Sequence, residues 1–137
     1  MPNTKATGVA FADPLFTTCY ASEELGYGAD AQGTVTQATN KSTAVTLNKS
    51  AGRITMSSTN LTAPVANFTL NNSLISANDV LIVNISGGET LSNINACTVY
   101  VNSMTTGSAT ISVRNLLGAD IGTDPLIINF AIIHGAS

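Results

Sequence analysis

The sequence predicts an all-β domain, an antiparallel sandwich of about eight strands of the jelly-roll or Greek-key type, preceded by an irregular N-terminal arm. Only 9% of the 137 residues are charged, against roughly 25% in a typical soluble domain. Thr, Ser and Asn number 19, 13 and 14, so uncharged polar side chains carry the solubility. Thr, Val and Ile favour strands over helices because a branched Cβ fits a pleated surface.

Strand signals follow one another at regular spacing from residue 34 onward. The predicted strands cover residues 34–38, 44–48, 53–57, 66–70, 79–86, 97–104, 109–115 and 125–134. Most of them alternate apolar and polar residues, which predicts one buried and one solvated face. Phe68 and Leu70, for example, are expected to point inward. We therefore place the sandwich at residues 34–137 and the arm at residues 1–33.

The arm combines aromatic residues with glycines and has no regular apolar period. Such a segment cannot bury enough surface to order itself. We therefore expect it to lie on its own domain, on a sister subunit or on another partner. Aromatic side chains dominate interface energies. The candidate anchors of the arm are Phe11, Pro14, Leu15, Phe16 and Tyr20.

The last predicted strand differs from the others because it is apolar on both faces. One face carries Leu126, Ile128, Phe130 and Ile132, and the other carries Ile127, Ala131 and Ile133. Such a strand is covered twice, either within its own fold or by another chain. The candidates for the core or for a subunit interface are Ile127, Phe130, Ala131 and Ile133.

The charge pattern argues against nucleic-acid and membrane partners. The net charge is −3, and the five Lys and Arg residues are scattered, whereas a groove for nucleic acid needs clustered cations. No stretch approaches the ~18 apolar residues of a membrane span. Residues 1–13 also lack the apolar run of a secretion signal, so we expect synthesis in the cytoplasm.

Residues that carry chemistry are few and poorly spaced. His134 is the single histidine, and no G-x-S-x-G elbow is present. Cys19 and Cys97 are far apart in a chain without a predicted secretion signal, so we expect free thiols. They also lack the spacing of a zinc site. Asp120 and Asp124 could offer oxygens to calcium, but their spacing does not match an EF-hand loop and also suits a turn. The sequence also has no glycine-rich phosphate loop. From these observations together we expect no metal, no cofactor and no enzyme activity.

Residues 33–49 read GTVTQATNKSTAVTLNK, and this stretch resembles small virion proteins of tailed bacteriophages. Further similarity lies at residues 68–75, 79–83, 111–115 and 126–135, so the resemblance covers about residues 33–135. The first motif is the most specific. Proteins of this kind are capsid decoration (cement) proteins or small fibre and knob domains, typically β-sandwich homotrimers on the outside of the virion.

The resemblance implies two alternative functions. In the first, a homotrimer sits on the outer surface of the head and bridges neighbouring subunits of the major capsid protein, with the arm supplying the contact. In the second, a tail fibre or receptor-binding knob recognises the host through exposed loops such as residues 87–95 or 118–123. The low aromatic content, 5%, weakens the second.

Overall fold

Eight strands make up the described part of the chain in this computed structural model, which describes Thr18, residues 20–89 and residues 96–135. They are β1 (Gln32–Thr36), β2 (Val45–Thr46), β3 (Ala51–Thr55), β4 (Val65–Asn71), β5 (Val80–Gly87), β6 (Cys97–Thr105), β7 (Ser108–Asn115) and β8 (Ile127–Ile133). One turn of 3-10 helix at Ala29–Ala31 precedes β1. No helix in these ranges is long and apolar enough to cross a membrane.

The strands form two sheets of four that enclose one core, which confirms the predicted all-β sandwich. The β8 sheet has the order β1-β3-β8-β5, and the β7 sheet has the order β2-β4-β7-β6. Buried side chains from both sheets belong to a single hydrophobic cluster. β6 and β7 pair antiparallel as the predicted hairpin. They are joined by a turn in which Gly107 has a positive φ of 86°.

Each sheet also contains one parallel pair, whereas the sequence predicted antiparallel pairing. β1 pairs with β3, and β2 pairs with β4, in parallel. The chain leaves β1 for the opposite sheet, forms the short β2 there, and returns to place β3 beside β1 in the same direction. Alternation of apolar and polar residues reports which face is buried and carries no information on strand direction, so this feature was not accessible from the pattern.

The core lies between the inner faces of the two sheets. Its most deeply buried hydrophobic members, all under 2% exposed, are Ile54, Met56, Ala66, Leu70, Ala109, Ile111, Val113, Leu126, Ile128 and Ile132. Phe68 and Phe130 add aromatic bulk at 2% and 4% exposure. The predicted inward positions of Phe68 and Leu70 are therefore confirmed. Each fully buried side chain of this size contributes about 1.5–3 kcal/mol through removal of apolar surface from water.

Two glycines on neighbouring strands make room for a leucine. Gly33 on β1 lies opposite Gly52 on β3. A Cβ atom on Gly33 would stand 2.9 Å from Leu47 Cδ1, and one on Gly52 would stand 2.7 Å from Leu47 Cδ2. The glycine pair thus lets Leu47 pack against the β8 sheet. This accounts physically for the first residue of the 33–49 motif.

Candidate functional site

The predicted arm falls mostly outside the described residues. Phe11, Pro14, Leu15 and Phe16 lie in that part, and so does Cys19. Tyr20 is described, and its side chain is 91% exposed. Leu25, which follows five residues later in the chain, is 87% exposed. Large apolar side chains at this exposure are available for contact with another molecule.

The predicted candidates on β8 separate into two faces. Phe130 points into the core, whereas Ile127 and Ala131 are half-buried on the outer face and Ile133 is 54% exposed there. Phe130 therefore packs inside its own domain. The three outward residues remain candidates for contact with a second molecule.

The outer face of β8 continues onto β5 as one apolar surface, the β5–β8 patch, formed by Val80, Ile82, Ala131 and Ile133. Val80 lies opposite Ile133, and Ile82 lies opposite Ala131, so the four side chains share one face. Val80 is 58% exposed and Ile82 is 49% exposed. Nothing in the described chain covers this patch.

A groove lies beside the patch on the same outer face, between Tyr27 and Arg53. It has a volume of about 570 Å³, and its outward lining includes Gln32, Thr34 and Asn129. The Tyr27 hydroxyl donates a hydrogen bond to the carbonyl of Ile132, so the tyrosine is held against the end of β8. Sequence reasoning missed Tyr27 and Arg53, because neither stands in a periodic pattern that predicts a shared surface.

A buried lysine holds together the end of the sandwich where β1 and β3 finish. Lys41 is 1% exposed, and its Nζ donates to the carbonyl of Asp124 at 2.7 Å and to the carbonyl of Ser57. The loop after β1, the end of β3 and the loop before β8 are thereby joined at one point. Burial lowers the pKa of the Lys41 ammonium, and the Asp124 carboxylate partly offsets this effect.

Gln37, which belongs to the same 33–49 motif as Lys41, also takes part in the buried cluster around Lys41. It is 3% exposed, and its Nε2 donates to the carbonyls of Lys41 at 3.1 Å and Thr43 at 2.9 Å. Its Oε1 accepts from the Ser57 amide at 3.1 Å. The Gln and Lys of the motif are thus buried structural groups. A lysine within a run of Thr, Asn and Ser is typical of a solvated loop, so the buried role of Lys41 could not be predicted from the local pattern.

At the opposite end, Asp79 binds the chain that leaves β8. Its carboxylate accepts from the Ser76 amide at 2.8 Å, the Ser76 hydroxyl at 2.8 Å and the Gly135 amide at 3.0 Å, and His134 Nδ1 lies 3.1 Å away. The Ser76 amide contributes most to lowering the pKa of Asp79 to about 2, against the opposing effect of burial. Ser76 and His134 both bind the Asp79 carboxylate. In a Ser-His-Asp triad the histidine instead stands between the serine and the carboxylate.

The pKa of Asp79 predicts a pH dependence of stability. Because the folded-state pKa of about 2 lies below the ordinary 3.8, the ionised carboxylate stabilises the fold above pH 3.8, and this contribution is lost as the pH falls through about 2. The difference in Tm between the native chain and Asp79→Asn should therefore shrink between about pH 5 and pH 2 in thermal melts followed by circular dichroism. A difference that stays constant over this range would contradict the role of the carboxylate charge.

A third exposed apolar site is the tip, Leu116 and Leu117, in the turn after β7. Both side chains are exposed. The buried Asn115 holds the turn, since its Oδ1 accepts a hydrogen bond from the Leu117 amide at 3.0 Å. The Leu116 amide in turn donates to the carbonyl of Ala96 at 2.8 Å. The two leucines are thus presented on an ordered turn.

Metal ligands are not grouped in the part of the chain that the structure describes. No three His, Cys, Asp or Glu residues stand close enough there to hold an ion. Asp124 is buried, and its carbonyl accepts from Lys41. Cys97 is a free thiol whose pKa is raised by burial and by the nearby carboxylates of Glu89 and Asp124. A raised pKa disfavours the thiolate that binds metal or attacks a substrate.

Comparison with protein-family models, with curated proteins and with solved structures finds no match for this chain.

Proposed function

We propose that the chain is a capsid decoration (cement) protein of a tailed bacteriophage. A homotrimer binds the outer surface of the head and bridges neighbouring subunits of the major capsid protein. The proposal rests on the resemblance of residues 33–135. The observation on the molecule that supports it is that most of the exposed large apolar side chains in the described chain lie at three places: the N-terminal segment, the β5–β8 patch and the tip.

The physical effect is additional contact between capsid subunits. A protein that binds the assembled shell and not its free subunits stabilises the shell by mass action. Three copies of one weak contact in a trimer multiply through effective concentration. A surface with few charges also loses little hydration free energy when it is covered. The sandwich acts here as a rigid body, and the arm supplies the anchors Phe11, Pro14, Leu15, Phe16 and Tyr20.

Removal of residues 1–18 should abolish binding to capsids while the sandwich stays folded. The removed residues hold four of the five proposed anchors, and every described strand begins after residue 31. Cosedimentation with capsids measures binding, and circular dichroism with a thermal melt verifies the fold. A double variant, Leu116→Ser with Leu117→Ser, is the matched control because it removes exposed apolar surface at the tip instead. Capsid binding that survives the truncation would show that the contact lies elsewhere.

The second candidate, a receptor-binding knob, is favoured by one observation, the ordered tip. Two exposed leucines on a turn fixed by Asn115 are typical of a recognition loop. In this case the tip double variant should lose binding to host cells, and the truncation should lose attachment to the tail. The same pair of variants therefore separates the two functions.

A further inference from the structure

Two kinds of uncovered surface bear on how copies of the chain contact one another. One lies on the outer face of the β8 sheet, and the other is an exposed segment before β1. Two features of this face remain open in the described chain, the β5–β8 patch and the groove beside Arg53. One exposed segment remains open as well, residues 21–26, which we name the donor segment. The donor segment reads Ala-Ser-Glu-Glu-Leu-Gly and carries one large apolar side chain, Leu25, and both the segment and the patch are uncovered in the described part of the same copy.

The donor segment stands away from its own domain. Leu25 is 87% exposed, and Glu23 and Glu24 are also exposed. A Cβ atom placed on Gly26 would meet no atom within 4 Å. The chain returns to the sheet only at Tyr27, where the hydroxyl binds the carbonyl of Ile132. The Leu25 side chain would lose exposed apolar surface on contact with the β5–β8 patch, and this burial favours the contact.

The charges of the two surfaces are complementary. Within the described ranges, the one salt bridge joins His134 to Asp79, so Arg53, Glu23 and Glu24 have no ionic partner there. Arg53 is exposed at the centre of the outer face, on a cross-strand row with Asn129 and Asn84. The donor segment brings two carboxylates, and the receiving face brings a guanidinium, which is the side chain best suited to bind a carboxylate.

The spacing along the two surfaces also matches. The row of Arg53 and the row that holds Ala131 and Ile82 are two residues apart along the strands, a separation of about 6.6 Å. Glu23 and Leu25 are also two residues apart, so on an extended segment their side chains point to the same side at about the same separation. With Glu23 at the level of Arg53, Leu25 therefore lies at the level of the row formed by Ala51, Ala131 and Ile82. Arg53 stands on β3, one strand from Ala131, and its long side chain can span the interstrand distance of about 4.8 Å to a segment that lies over β8.

We propose that the outer face of β3, β8 and β5 receives the donor segment of a second copy of the chain, with Glu23 on Arg53 and Leu25 on the β5–β8 patch. Each copy then donates one segment and receives one. A head-to-tail contact of this type closes into a ring when the rotation permits. The inference deepens the proposed function, because it rests on the trimer and names the contact that forms it.

Disulfide trapping tests the exchange directly. In a background of Cys19→Ser and Cys97→Ser, one chain carries Leu25→Cys and a second carries Ile82→Cys. When the two chains are refolded together and oxidised, we expect a disulfide-linked pair on a non-reducing gel, and a chain with both substitutions should give covalent trimers. A chain with Leu117→Cys in place of Leu25→Cys is the control and should give no pair. An intrachain disulfide in the double variant without pairing in the mixture would overturn the proposal.

Charge reversal provides a second and independent measurement. Arg53→Glu should raise the concentration at which the oligomer dissociates on the order of tenfold in sedimentation experiments. Glu23→Arg combined with Arg53→Glu should restore it. Arg114→Glu, an exposed arginine on β7 of the opposite sheet, is the matched control. Equal effects of Arg53→Glu and Arg114→Glu, or a native chain that is monomeric throughout, would contradict the exchange.

These outcomes are separable from those of the capsid assay. A trimer that forms the Leu25–Ile82 crosslink and does not bind capsids contradicts the proposed function and leaves the exchange intact. Capsid binding by a chain that gives no such crosslink contradicts the exchange and leaves the cement function intact.

Discussion

Replacement of Phe130 by aspartate should unfold the domain. Phe130 is 4% exposed on the inner face of β8, beside Gly52 of β3. Truncation of a buried Phe costs about 3–5 kcal/mol through lost packing. A carboxylate without a partner in that space adds a desolvation penalty of several kcal/mol. The sum approaches the whole stability of an ordinary domain, about 5–15 kcal/mol. Circular dichroism and a urea titration at neutral pH measure the loss.

The matched control is Ile133→Asp on the same strand. Ile133 is 54% exposed on the outer face, so the aspartate stays in water and the fold should remain. The pair of variants therefore separates the two faces of β8. A folded Phe130→Asp chain with the native urea midpoint would contradict the assignment of Phe130 to the core.

Lys41→Met should give the second large effect. Methionine retains most of the buried stem and removes the ammonium, so the carbonyls of Ser57 and Asp124 lose their donor. An unsatisfied buried polar group costs about 1–3 kcal/mol, and two buried carbonyls lose their donor in this variant. We expect a destabilisation of about 3 kcal/mol in urea unfolding.

Lys49→Met is the control for this substitution. Lys49 carries the same side chain in the same motif, but its Nζ makes an exposed hydrogen bond to the carbonyl of Asp30. This variant should change the free energy of unfolding by less than about 0.5 kcal/mol, as is usual at surface sites. Similar losses for the two lysines would show that the Lys41 cluster does not fix the end of the sandwich.

The strands were predictable because their pattern is local. The alternation in residues 97–104 and 109–115 identified a hairpin, and the structure places β6 at Cys97–Thr105 and β7 at Ser108–Asn115. The two apolar faces of the last strand were also visible. The inner face of β8 packs into the core between the two sheets, and its outer face is half-buried or exposed.

The polar clusters were not predictable, because they join residues far apart in the chain. Lys41 and Asp124 are separated by 83 positions, and Asp79 and His134 by 55. Their residue types are those of ordinary loops, and only the tertiary fold removes them from water. The 33–49 motif was recognisable as a sequence, but the structural roles of Gln37 and Lys41 became visible only when their partners were placed.

The two kinds of feature suit a decoration protein in different ways. The clusters around Lys41 and Asp79 fix the loops at the two ends of the sandwich, so the domain behaves as a rigid body. Most of the exposed large apolar residues in the described chain stand on the N-terminal segment, the β5–β8 patch and the tip. In the proposed arrangement the donor segment joins copies into a ring, and the anchors before it contact the capsid.

Cosedimentation of the purified chain with capsids that lack it is the most direct test of the cement function. Isolated tails and host cells serve as the comparison particles. We predict saturable binding to capsids alone, in copy numbers that follow the capsid lattice, and greater resistance of the decorated heads to heat. Binding to tails or cells and not to capsids would contradict the cement function and favour the knob.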